Sequence, residues 1–139
     1  MSLALLRTAQ DEAILPEEFA TIPGAADSGT HGYLLYTLVR ETQPEVCVEI
    51  GSWRGYSTAW IATALKHNQR GKLWAVDDCS LEGDTGWREL HANLQNLHVY
   101  DVVELVRENS LEALANGKVP DKIDFAYIDA NHSYQGVKA

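Results

Sequence analysis

Four short apolar runs mark the chain: VCVEI (46–50), KLWAV (72–76), VVELV (102–106) and IDFAYI (123–128). Their apolar character is continuous rather than alternating, which suits strands covered on both faces. Helical stretches follow the first three, over 57–68, 87–97 and 110–116, and Gly71 and Gly117 stand just beyond two of them as stop signals. Ahead of the first strand, HGYLLYTLVRET (31–42) places Leu34, Leu35, Leu38 and Val39 on one helical face, and Pro44 closes the turn that follows. Strands that alternate with helices imply β-α-β units and a parallel sheet, so the expected fold class is α/β, doubly wound. Residues 1–30, with Pro16, Pro23 and the tract GAADSGT, read as an N-terminal arm or lid carrying one short helix around 16–20. Residues 31–139 form the domain proper.

A length of 139 residues fits one domain with a real core. No apolar run approaches the roughly 20 residues that cross a bilayer, and the N-terminus lacks the basic start and cleavage site of a signal peptide. Cys47 and Cys79 are too few for a disulfide framework, which points to a reducing cytoplasm. The net charge is −9 and the 11 Lys and Arg residues are scattered singly. Nucleic acid and anionic membranes are therefore poor partners.

Ligands of an open parallel sheet bind beyond the carboxyl ends of its strands, so the residues just after each run carry the candidate chemistry. After the first run comes EIGSWRGYS, Glu49 to Ser57. Gly51 permits a tight turn, Gly55 a close approach of ligand to backbone, and Ser57 can cap the next helix. The G-x-x-x-G spacing is not the G-x-G-x-x-G of dinucleotide loops, and no G-K-[ST] is present, so nicotinamide oxidoreductases and phosphate-cradling nucleotidases are disfavoured. Glu49 makes electrostatic sense beside an ammonium or a sulfonium-bearing amino acid.

VEIGSWRGYST resembles the first motif of class I S-adenosylmethionine-dependent methyltransferases, and WAVDD (74–78) resembles their second strand. IDFAYIDANHSYQGVKA is similar to the fourth strand and following loop of the small-molecule O-methyltransferase branch, which includes cephalosporin-hydroxylase-like and macrolide-sugar O-methyltransferases. The resemblance implies a Rossmann-like sheet whose cofactor is S-adenosylmethionine. Gly51, Ser52 and Gly55 would shape the floor under its methionine part, beside Glu49, and Ser57 would bond its carboxylate. Asp77 would hold the ribose hydroxyls, with Asp78 as the alternative. Asn109 and Ser110 would reach the adenine, unless Ser110 is simply a helix N-cap.

By the same resemblance, Asp129 contacts the cofactor's amino group or ligates Mg²⁺, and His132 acts as general base on a small-molecule hydroxyl. One Asp and one His are only part of a hard-cation site. The resembling fold continues with another helix, a fifth strand and a hairpin that build the acceptor pocket. The expectation is thus an N-terminal part of about four strands, self-associating into a homo-oligomer through an exposed fourth-strand edge. The competing reading is a catalytically silent binding or oligomerisation module. Elsewhere, Trp60 and Trp74 are expected in the core. Trp53 and Tyr56 either cover the cofactor or pack on the arm, and Trp87 either nears the adenine or starts its helix. His31, His67, His91 and His98 are not expected to be ligands.

Overall fold

The computed structural model describes residues 31–130; the expected arm (1–30) and the tail that carries His132 lie outside the described residues. The elements run α1 (His31–Thr42), β1 (Val46–Ile50), α2 (Tyr56–Asn68), β2 (Lys72–Val76), α3 (Gly83–Asn96), a 3₁₀ turn (Tyr100–Val102), β3 (Val103–Val106), α4 (Ser110–Ala115) and β4 (Phe125–Ile128). All strand pairings are parallel, in the order β3-β2-β1-β4. This is a doubly wound α/β sheet of four parallel strands, as the alternation of elements predicts.

Strand alternation divides the core between the two faces. Cys47, Leu73, Ala75 and Val103 join the larger cluster with α1, α2 and α3, whereas Val48, Val76 and Val106 pack with Ala113 of α4 and with Val119. Helix α2 is buried at every position from Ser57 to Leu65, because the sheet, α1 and α3 all contribute to the cluster around it. Its near-continuous apolar character is that of a helix covered on most sides.

Several boundaries and one face differ from the sequence expectation. The buried face of α1 is Gly32, Leu35 and Val39, while Leu34 and Leu38 are exposed. A Cβ at Gly32 would collide with the Trp60 indole, so this contact sets the rotation of α1 on α2. Val102 belongs to the 3₁₀ turn, which shortens β3. β4 starts at Phe125 because the Asp124 carboxylate accepts from the Glu45 and Val46 amides, both at 3.0 Å, and so serves as a brace at the start of β1. α3 begins at Gly83, ahead of Trp87. Trp60 is in the core as expected, but Trp74 is half-buried against the smaller cluster with the Lys72 ammonium 5.5 Å over its ring.

Candidate functional site

The chain leaves β1 through a turn that two glycines make possible. Gly51 (φ +92°) donates its N–H to the Val76 carbonyl at 2.8 Å, and Gly55 (φ +91°) donates to Ser52 at 2.8 Å. A side chain at Gly51 would overlap the carbonyl oxygen of Asp129, so the glycine lets the end of β4 lie against the turn. At Gly55 a Cβ would lie 2.7 Å from Leu90 Cδ1. The space is therefore used by α3, not by the ligand approach that the motif suggests. Gly55 is also the N-cap of α2, the place the sequence assigns to Ser57. Trp53 takes the unusual φ of +45° inside this turn. Two hydrogen bonds over-determine it: Trp53 N–H to Asp77 Oδ2 at 2.8 Å, and Asn93 Nδ2 to the Arg54 carbonyl at 2.8 Å.

Beyond the strand ends lies a cavity of about 400 Å³. It has the size of a small-molecule site. Four carboxylates line it, those of Asp77, Asp78, Glu108 and Asp129, together with Gly51, Trp53 and Ser110, and among the described residues no Lys or Arg does. Asp77 is held by both oxygens, its Oδ1 accepting from Cys79 N at 2.7 Å, and Asp78 Oδ1 accepts from Ser80 N at 2.9 Å. Asn109, rather than Ser110, caps α4, its side chain accepting from Leu111 N at 3.0 Å. Ser110 is left on the cavity wall as the first residue of that helix. Asp129 donates its N–H to the Ile50 carbonyl at 2.9 Å, and its Oδ2 accepts from the Tyr127 hydroxyl at 3.3 Å. Burial, and then the charge of Asp129, push that phenol up to about 12.

Glu49 points the other way. It neighbours Ile50 on β1, so the pleat sends its side chain to the α2 face while Ile50 lines the cavity. There it is fully buried and accepts from the Ser57 and Thr58 hydroxyls. Burial raises its carboxyl to about 7, against the opposing pull of the Ser57, Thr58 and Ser52 hydroxyls. The predicted set is thus split. Gly51, Asp77, Asp78, Ser110 and Asp129 meet on the cavity wall. Glu49, Ser52, Gly55 and Ser57 lie beneath or beside it as the support of the turn. The sequence reasoning missed Glu108, Ser80 and Leu81. The signal for Glu108 was available: it stands two residues past the end of β3, where the strand-end rule looks. Its Oε1 accepts from Asn116 Nδ2 at 3.0 Å, and Lys118 Nζ is 3.3 Å from Oε2.

Among the described residues no group of three or more His, Cys, Asp or Glu could hold a metal ion. Trp87 lies in the second turn of α3 against the His91 ring (4.8 Å between centroids) and off the cavity wall. His91 and His67 each meet a phenol, Tyr100 and Tyr36 respectively, at 2.9 Å.

A parallel sheet with an acid-lined cavity beyond its strand ends, floored by a G-x-x-x-G turn, is the arrangement of a Rossmann-like small-molecule site. Residues 48–139 match the family described as "Methyltransferase domain", and the chain belongs to that family. Among solved structures, it is similar to a putative O-methyltransferase from Klebsiella pneumoniae (28% identity, TM-score 0.65, covering 91% of this chain and 56% of that one). It is also similar to an O-methyltransferase from Bacillus cereus in complex with SAH (26%, 0.66, 82% and 53%). The O-methyltransferase TomG from Streptomyces achromogenes, in complex with SAM, shares the fold (24%, 0.68, 85% and 55%). The chain spans a little over half the length of these relatives. No curated protein matches it.

Proposed function

We propose that this chain binds S-adenosylmethionine and is the cofactor-binding portion of an enzyme that methylates a small-molecule hydroxyl. One observation carries the reading: in a methyltransferase-family fold, the cavity at the strand ends is lined by the carboxylates of Asp77, Asp78, Glu108 and Asp129 and, among the described residues, by no Lys or Arg, the Lys118 ammonium meeting Glu108 from outside the lining. Such a wall favours a ligand bearing sulfonium and ammonium charges and disfavours a pyrophosphate. It supports a fit between site and cofactor. The cofactor, when bound, supplies an electrophilic methyl group on sulfur.

The chain's own residues bind and orient. Asp77 and Asp78 serve the ribose hydroxyls, and the backbone of Gly51 floors the methionine end. Asn109 and Ser110 stand at the adenine end, and Asp129 receives the amino group. Glu49, Ser52, Gly55 and Ser57 keep the turn in place from below. His132 is assigned to removing the acceptor's proton, with Mg²⁺ at Asp129 as the alternative means of activating the hydroxyl. The names of the Bacillus cereus and Klebsiella pneumoniae neighbours support a hydroxyl acceptor. Family membership disfavours a catalytically silent module. We further place the chain in the reducing cytoplasm, which suits its unbridged cysteines, and in a homo-oligomer joined along β4.

Calorimetric titration with S-adenosylmethionine, with NAD⁺ as control, tests the reading. Saturable binding of the first alone is expected. Asp77→Asn, which leaves one acceptor oxygen for two backbone donors, should weaken it by about tenfold. No saturation up to millimolar S-adenosylmethionine would overturn the assignment.

A further inference from the structure

Two stretches distant in sequence, within 51–53 after β1 and 77–81 after β2, supply a large share of the cavity wall. Arg54 and Glu82 each stand one residue beyond the last lining residue of their stretch, and they meet. Arg54 Nη2 donates to Glu82 Oε1 at 2.7 Å and Nε to Oε2 at 2.9 Å, while Nε also lies 3.2 Å from Glu89 Oε2. The Arg54 and Glu82 side chains are 23% and 28% exposed, so the fork is partly shielded from water.

Glu82 is the N-cap residue of α3, yet its side chain makes no capping bond; it reaches across to Arg54 instead. Its carboxyl is held below the usual range, first by the Arg54 hydrogen bond, with the Trp53 side chain adding to the effect. The Arg54 guanidinium also sits 5.0 Å from the centroid of the Trp53 ring, which lines the cavity. Behind it, Asn93 holds the Arg54 carbonyl and Leu90 occupies the space over Gly55.

We propose that the Arg54–Glu82 pair is a latch between these two walls of the cavity and that Arg54 is a positioning residue, holding the Trp53 and Leu81 walls at the separation that retains the nucleoside cofactor. The ligand's identity rests on the methyltransferase reading; the latch itself rests on geometry. A two-point guanidinium–carboxylate fork fixes distance and orientation together, which a lysine, as a point charge, does not. An ordinary surface ion pair would contribute almost nothing. This one joins the two segments that carry the lining residues.

The test uses the whole chain with Arg54→Lys, Glu82→Gln and the double variant. Amide hydrogen exchange without ligand is expected to quicken by about tenfold at 53–55 and 79–83 in each variant, with β1 and β2 amides unchanged. The dissociation constant for S-adenosylmethionine is expected to rise by about fivefold through faster release, with the double variant no weaker than either single one. Exchange at wild-type rates in both segments, or losses that add in the double variant, would overturn the latch. Should the wild-type chain bind no S-adenosylmethionine, the cofactor reading fails and exchange alone decides the latch. Should Arg54→Lys not fold, Glu82→Gln carries both measurements.

Discussion

Replacing Glu49 of β1 with Gln removes the one fully buried carboxyl among the described residues while keeping its shape. Burial moves that carboxyl from the ordinary 4.5 to about 7, with the Asp77 charge adding a smaller push. At about 1.4 kcal/mol per tenfold change in proton affinity, the displacement corresponds to about 3 kcal/mol. The folded state therefore holds this proton more tightly than the unfolded chain. As pH rises above 4.5 the unfolded carboxyl ionises while the buried one stays protonated, so this group's contribution to stability falls, and it levels off above about 7. Gln stays neutral throughout and contributes no slope. Like the protonated acid, Gln offers one acceptor oxygen and one donor group to the Ser57 and Thr58 hydroxyls, so the substitution mimics the neutral form. The measurement is urea unfolding of both proteins at pH 5, 6, 7 and 8. The stability of the variant minus that of the wild type should grow by about 2–3 kcal/mol from pH 5 to 8 and then flatten. A difference that is constant, or that shrinks with rising pH, would refute the assignment of Glu49 as a buried neutral acid.

Gly51→Ala should destabilise the fold by about 3–5 kcal/mol, since it combines a left-handed backbone with an overlap on the Asp129 carbonyl that no rotamer relieves. A loss below about 1 kcal/mol in urea unfolding would mean that β4 does not lie against the turn as described. Ile128, 71% exposed on β4 at the edge of the described sheet, leads to an expectation of self-association at micromolar concentration that Ile128→Lys weakens. Light scattering from a clean monomer would sink that idea.

The order of elements, the parallel sheet and the acids at the strand ends follow from the sequence alone, because each depends on short-range regularities. These are apolar runs of strand length, helical spacing between them, and glycines where a strand must turn into a helix. Asp77, Asp78, Ser110 and Asp129 could be found this way, since position beyond a strand end is a property of the local chain. What each neighbour does at that end is not. Glu49 and Ile50 are adjacent in sequence, yet one lies in the core and the other on the cavity wall; packing of α2 decides which face of the pleat is interior. Gly55 looks like a ligand-facing glycine until Leu90 is found in its space, and Leu34 and Leu38 look like core until Trp60 fixes the rotation of α1. Arg54 and Glu82, 28 residues apart, carry no joint signature at all. Contacts between distant segments depend on how whole elements dock, and one chain's local periodicity holds no information about that docking.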